Sequence, residues 1–375
     1  MIYFDNAASN IPFYYEKLSF TANPSVRHSA GNKARNILDD FRKTLSNNLG
    51  GFPSNYIFTS GATESANLII QGICMHALKT KKIRTEIIIN ETEHPAVYNT
   101  AMEMKKHGFK VHTIEVDSNG VVKKEKIESL LNENTLMVCI MHVNNETGTI
   151  QPVNDIFKKI KEIDSKVITV CDAVQSLTKV ESFPDPRCTD LFFSSGHKIG
   201  GVKGTGFLYM NENIVISPIF YGGGQENGLR PGTENVDGVY SMMQAYSFYL
   251  KNKITIHRHL QLLSKTLVES LKKEGIKFKI HSSECFKSDF IHSVVFFGVN
   301  ASSLFDFLSM NGICVSKGSA CSSNSSVKSR VLSAMNVPNN EMESTIRISF
   351  SFENTPDEII TMSKKISEFI TSGRL

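Results

Sequence analysis

This sequence predicts an α/β fold: a mostly parallel mixed sheet flanked by helices, with a smaller α+β domain attached. Two observations carry that expectation. Between about residues 56 and 216, short β-rich runs alternate with stretches of helical pattern, which is how a sheet covered on both faces is written into a chain. The chain has 375 residues, 41% hydrophobic and 21% charged, enough for a large core and two domains and too apolar for a disordered polymer.

The β-rich runs are "YIFT", "TEIIIN", "KVHTIEV", "LMVCIMHV", "KVITVC", "DLFFSS" and "GTGFLYM", and helical stretches fall at 63–78, 95–107 and 153–163. Residues 217–235, "SPIFYGGGQENGLRPGTEN", read as a structured glycine-rich loop, followed by a long helix over about 236–273 with His257, Arg258 and His259 expected on its solvent faces. "SVVFFGV" and "STIRISF" read as strands of the tail. Thr355-Pro356-Asp357-Glu358 opens the last helix with a threonine cap, proline in the first turn and a glutamate placed to complete a capping box. The expected division is a large domain over 13–248 and a small α+β domain made of 1–12 and 249–375.

Several function classes are disfavoured at once. A net charge of +4 spread over the whole chain, with no Lys/Arg block interleaved with aromatics, does not describe a nucleic-acid binder. No apolar run reaches membrane-spanning length, and "MIYFDNAASN" lacks the basic-then-apolar pattern of a secretion signal. The seven cysteines include no CxxC pair, and Cys74, Cys139 and Cys171 lie in apolar segments. Reduced thiols in a cytoplasmic protein are the expectation, without a disulfide framework or a metal site.

In such sheets ligands sit beyond the carboxyl ends of the strands, and polar residues recur there. Ser60-Gly61-Ala62-Thr63 follows "YIFT"; the amides and hydroxyl at that helix start suit a phosphate, although the same residues also make a plain turn. His94 follows "EIIIN", Asn145 follows "MHV", and Asp172 and Gln175 follow "VITVC". Ser195, His197 and Lys198 end "DLFFSSGHK". Alone, Lys198 is as well read as a surface lysine, and His94 as a core or cap histidine. Together they describe one need: an amine that condenses with an aldehyde, a phosphate cradle, and a buried carboxylate to keep a ring nitrogen protonated. The cofactor with that need is pyridoxal phosphate.

"GSACSSNSS" (318–326) places Cys321 among small polar residues, and by composition alone a structural thiol and a reactive, solvated one remain equally good readings. At this point a resemblance covers nearly the whole chain. "YFDNAAS", "NPSVRHSAG", "IFTSGATESANL", "TEHPAV", "MHVNNETGTIQPV", "CDAVQS", "FSSGHKIGGVKGTGFLY", "GGGQENGLRPGTENV", "VSKGSACSS" and "TIRISF" run in order from residue 3 to 350. The sequence resembles the pyridoxal-phosphate cysteine desulfurases of the NifS/IscS type, class-V aminotransferases of PLP fold type I.

The resemblance implies a role for each matching position. Lys198 matches the lysine that carries the cofactor, His94 the ring-stacking histidine that helps move protons, Asp172 the partner of the ring nitrogen and Gln175 that of the ring oxygen. Gly61, Ala62, Thr63, Ser195 and His197 match the phosphate site. Thr233 matches a threonine that reaches the phosphate of the neighbouring subunit. Asn145 and Arg347 match groups that hold the substrate carboxylate, and Asn145 also borders the cofactor. Cys321 matches the cysteine that takes the sulfur, on a loop over about 318–330. A homodimer with shared active sites, L-cysteine as substrate and a sulfur-acceptor protein as partner are implied. The candidate pathways are iron–sulfur cluster assembly, tRNA thiolation or another sulfur modification. The short stretch after the last helix makes an iron–sulfur scaffold the weaker expectation among acceptors. A selenocysteine lyase or cysteine sulfinate desulfinase is the alternative enzyme, and a catalytically inactive binding partner the alternative of another class. Two departures stand out: Val202 replaces a usual proline in "HKIGGVKG", which predicts a looser turn, and Pro231 precedes the Gly232-Thr233 pair.

Overall fold

Twelve strands are formed within residues 1–12, 22–80, 84–318 and 328–373, which the computed structural model describes. They are β1 (Ile2–Tyr3), β2 (Tyr56–Thr59), β3 (Glu86–Asn90), β4 (Lys110–Ile114), β5 (Thr135–Met141) and β6 (Ile168–Asp172). β7 (Leu191–Ser195), β8 (Gly206–Met210), β9 (Phe278–Ile280), β10 (Ile291–Phe296), β11 (Ile313–Cys314) and β12 (Thr345–Ser349) follow. Seven of them form one sheet in the order β2-β8-β7-β6-β5-β3-β4. β4 through β7 pair in parallel by way of β3 and β6, whereas β8 runs antiparallel to both β7 and β2. The sheet is thus mixed and mostly parallel, as expected for PLP fold type I.

Burial explains why these strands read as unbroken apolar runs. Every residue of β5 and β7 is buried, because helices cover both faces. Along β3, Ile87 and Ile89 pack into the core on one side, with helices Ala62–Lys79 and Pro95–Met104. Ile88 between them points to the other core, shared with helices Ser29–Leu49, Val153–Ile163 and Val236–Lys273. The second core is aromatic where β7 meets β8: Phe192 stacks on Tyr209 with ring centroids 4.4 Å apart.

The long helix runs from Val236 to Lys273, capped by the Asn235 side chain on the Gly238 amide, so residues 248 and 249 lie within one continuous element. His257 and His259 are not on its open faces: His257 Nε2 pairs with the Tyr249 hydroxyl at 2.9 Å, and His259 Nε2 with the Asn354 carbonyl at 2.8 Å. Beyond it, β12-β10-β9 form a small antiparallel sheet. β1 pairs in parallel with β11, tying the first residues of the chain to that region. The last helix, Pro356–Thr371, has its capping box: Thr355 Oγ1 accepts from the Glu358 amide and Glu358 Oε2 from the Thr355 amide. The looser turn expected at Val202 is tied instead. The Val202 amide donates to Ser241 Oγ at 3.1 Å, a bond that proline in this position lacks the hydrogen to make.

Candidate active site

The carboxyl ends of β2, β3, β5, β6 and β7 open onto one cavity of about 440 Å³. Gly61, Ala62, Thr63, His94, Asn145, Asp172, Gln175, Ser195, His197, Lys198 and Arg347 all line it, although they are spread over almost three hundred positions of the chain. Thr233 does not; it lies exposed in the stretch before the long helix. Cys321, with most of its loop, lies outside the described residues.

Local backbone geometry accounts for the arrangement. β2 ends at Thr59, and Gly61 then takes φ of 149° and ψ of 178°, open to glycine and closed to side chains. That turn sets the start of helix Ala62–Lys79 at the cavity, with its first-turn amides lacking intrahelical acceptors. Across from it, Gly206 on β8 has the Gly61 Cα where a Cβ would lie, 2.8 Å away, so a side chain there would push the turn outward. A short 3₁₀ turn over Gly196–Lys198 ends β7 and brings His197 and Lys198 to the same place.

Lys198 Nζ donates to the Ala7 and Ala8 carbonyls at 2.8 and 2.7 Å. These two carbonyls are the functional groups that side-chain reasoning missed; the quoted "YFDNAAS" contains them, but main-chain acceptors leave no residue-type signal. Lys203, Gly204 and Glu64 also line the cavity and were not singled out from the sequence.

Asp172 closes β6 and is buried; burial pushes its carboxyl up to about 6, against the opposing pull of the Val174 amide and the Lys198 charge. His94 caps helix Pro95–Met104 by accepting from the Ala96 amide at Nδ1, 3.1 Å. Burial first, and then the charges of Lys198 and Arg330, hold its imidazole down at about 4. It is therefore neutral near pH 7. With Nδ1 committed as an acceptor, the ring proton resides on Nε2. His197 is likewise held at about 4, by burial and then by lysine charges.

Arg347, on β12, is 1% exposed. Its Nη2 pairs with Asp5 Oδ1 at 2.6 Å and its Nη1 donates to the Asn145 carbonyl at 2.9 Å, while its buried Nε has no partner among the described residues. A buried guanidinium with an unused donor, lining a cavity, is suited to an incoming carboxylate. The donor set at the start of helix Ala62–Lys79, the Thr63 and Ser195 hydroxyls and His197, suits a phosphate. The amine of Lys198 and the buried carboxylate of Asp172 suit an aldehyde and a ring nitrogen. The residues present fit pyridoxal phosphate.

A larger cavity, about 610 Å³, lies between helix Ser29–Leu49 and the glycine-rich segment. Arg42 on its wall pairs with Glu226 Oε1 at 2.6 Å and with Asp39 Oδ1 at 3.0 Å, and among the described residues its lining presents no amine or thiol for covalent chemistry. Size does not select the site; the convergence of reactive groups does.

A profile of the family described as Aminotransferase class-V matches residues 3–362. The chain belongs to that family, within its NifS/IscS-type cysteine desulfurases. It is 34% identical over 349 residues to a putative cysteine desulfurase, IscS 1, of Bacillus subtilis, covering 93% of this chain and 91% of that one. A cysteine desulfurase IscS of Methanosarcina thermophila is 31% identical over 384 residues, covering 100% and 93%. Among solved structures, a NifS-like protein superposes with a TM-score of 0.89 at 34% identity, over 99% of both chains. A structure titled "SspA in complex with cysteine" reaches 0.81 at 31% identity, over 95% of this chain and 100% of that one. Membership supports, in general terms, a pyridoxal-phosphate-dependent enzyme of the aminotransferase and desulfurase type.

Proposed function

We propose that this chain is a cysteine desulfurase that converts L-cysteine to L-alanine and leaves the sulfur as a persulfide on Cys321. The observation that carries the reading is the meeting of the Lys198 amine, the buried Asp172 carboxylate and the neutral His94 imidazole in one cavity. The similar structure of SspA in complex with cysteine supports the substrate.

When bound, pyridoxal phosphate supplies an aldehyde that joins an amine and an aromatic ring that withdraws electrons from the adjoining bond. Lys198 would hold it covalently and, once released, take and return the substrate α-proton. Asp172 would keep a proton on the ring nitrogen, and Gln175 would donate to the ring oxygen. Gly61, Ala62, Thr63, Ser195 and His197 would bind the phosphate, with Thr233 contributed by the second subunit of a homodimer. His94 would cover the ring face and, with its proton on Nε2, relay protons. Arg347 and Asn145 would hold the substrate carboxylate. The Cys321 thiolate attacks the substrate sulfur. A sulfur–sulfur bond forms, the carbon–sulfur bond breaks, and its electron pair stays with the β-carbon, which is protonated. One cysteine and one protein thiol thus become one alanine and one persulfide, with no added oxidant. The loop over 318–330 belongs, in this reading, to a small domain of residues 1–12 and 249–375 beside a large domain of 13–248. A sulfur-acceptor protein in the cytoplasm, serving iron–sulfur cluster assembly, tRNA thiolation or another sulfur modification, would then receive the sulfur.

The test is incubation of the cofactor-loaded protein with L-cysteine, without acceptor. Alanine and one added sulfur atom on the peptide bearing Cys321 are expected. Cofactor-loaded protein that yields neither overturns the assignment.

A further inference from the structure

We infer that Lys179 is a positioning residue that acts on the cofactor site through Gln175, clamping its side-chain amide so that the nitrogen, a donor, stays turned toward the cavity. The inference rests on the reading that this cavity holds pyridoxal phosphate with Gln175 at the ring oxygen. Lys179 was not singled out from the sequence and does not itself line the cavity.

Lys179 is 5% exposed, a rare placement for a lysine. Its Nζ donates to Gln175 Oε1 at 2.6 Å and stands 4.0 Å over the centre of the Phe290 ring. On the other side of the same amide, Gln175 Nε2 donates to the Ala7 carbonyl at 2.9 Å. That carbonyl also accepts from Lys198 Nζ at 2.8 Å, so the Gln175 nitrogen is held beside the reactive amine. Reversing the amide would set its oxygen against the Ala7 carbonyl, two acceptors together, and would strip Lys179 of its acceptor. Both neighbours thus select one orientation. An amide nitrogen has two hydrogens; one is used on Ala7, and the second is available to an acceptor in the cavity.

The backbone is bent to place this lysine. Thr178, directly before it, has φ of 69°, in the left-handed region that β-branched residues avoid. The groups bearing on Lys179 are Lys198, Arg347 and His197 on the cavity side, with Phe290 and Tyr249 lining a small pocket on the outer side. Burial, then the charges of Lys198 and Arg347, hold its amine well below the ordinary lysine range. Either protonation state keeps a hydrogen for Oε1.

A donor at the ring oxygen draws charge from it. When that donor is loosened, the neighbouring linkage to Lys198 holds its proton to higher pH. The experiment loads wild type, Lys179→Met, Lys179→Arg, Gln175→Leu and the Lys179→Met/Gln175→Leu double variant with pyridoxal phosphate. It measures the pH midpoint of the visible absorbance and the cofactor dissociation constant of each. Lys179→Met is expected to raise the midpoint by roughly half to one pH unit and weaken cofactor binding by roughly three- to tenfold. Lys179→Arg, which keeps a donor, is expected to lie near wild type, and Lys179→Met to add nothing once Gln175 is gone. A folded Lys179→Met with the wild-type midpoint, or one whose shift is undiminished in the Gln175→Leu background, overturns the inference. If Lys179→Met does not fold, Gln175→Leu decides: it must raise the midpoint, and no rise overturns the inference. A wild type that takes up no cofactor overturns the underlying reading and this inference with it.

Discussion

Lys198 and Lys287 make an instructive pair. Both are withdrawn from solvent, and both donate to main-chain carbonyls. Lys198 Nζ bonds to Ala7 and Ala8; Lys287 Nζ bonds to the Ile291 carbonyl at 2.6 Å and lies 3.1 Å from His292 Nδ1. Burial pulls the Lys287 amine down to about 8, and burial, then the Lys287 charge, keeps His292 well below the ordinary histidine range. Judged by perturbed titration alone, Lys287 would pass for a catalytic base. It lines none of the cavities described above, and its partners are main-chain carbonyls of its own loop and β10 together with the His292 ring. Lys198 opens onto 440 Å³ shared with two carboxylates, two imidazoles and a guanidinium. A shifted pKa marks desolvation; a reaction also needs space and partners.

The contrast breaks first at Lys198. Lys198→Ala in the cofactor-loaded preparation should lose the visible absorbance of a lysine-linked cofactor and lower alanine production by on the order of 10³-fold or more. Retained turnover with unchanged absorbance would move the chemistry elsewhere. The next effect is purely structural. Glu226 is buried, accepts from Arg42 at 2.6 Å and from the Phe58 amide at 3.0 Å. Removing it as Glu226→Ala leaves the mostly buried Arg42 guanidinium with only Asp39 and the Tyr56 carbonyl and takes the Glu226 acceptor from the Phe58 amide, and urea unfolding should show a loss of about 3 kcal/mol. Stability within about 0.5 kcal/mol of wild type would show that the larger cavity does not depend on this pair.

The smallest effect sharpens the comparison. A lysine amine whose folded pKa is about 8 binds fewer protons folded than unfolded between pH 8 and its ordinary value of 10.5. Stability must therefore rise with pH across that window, by about 1–3 kcal/mol given the partly exposed stem. Lys287→Met should flatten that rise while leaving alanine production within about twofold of wild type. Unfolding midpoints measured from pH 7 to 10.5 check the first, and the alanine assay the second. A large loss of activity would give Lys287 a part in the reaction.

Much of this molecule is legible in the order of its residues because the signals are local. The apolar runs of β3, β5 and β7 need only burial on both faces to be read, and the Thr355 to Glu358 box needs only four neighbours. The site residues were legible as strand-end residues because a parallel sheet must gather them. What escaped were contacts that reside in the backbone, arise between elements or, for Tyr249 and His257, join side chains more than one turn apart on the same helix. The Ala7 and Ala8 carbonyls have no side-chain signature. His257 and His259 look solvent-facing on a helical wheel until Tyr249 and Asn354 are seen beside them. Val202 reads as a loosened turn until Ser241, 39 positions away in another element, is found accepting its amide.

By itself, then, the sequence determined the sheet, the helices that cover it, the family and the types of reactive group at the strand ends, since periodicity and short motifs encode burial and turn geometry directly. Tertiary structure alone decided which atoms face one another: Gln175 held between Lys179 and Ala7, His94 made neutral with its proton on Nε2, and Arg347 buried with one donor unused. Those facts depend on distances and desolvation between segments far apart in the chain, and no local pattern of residues contains them.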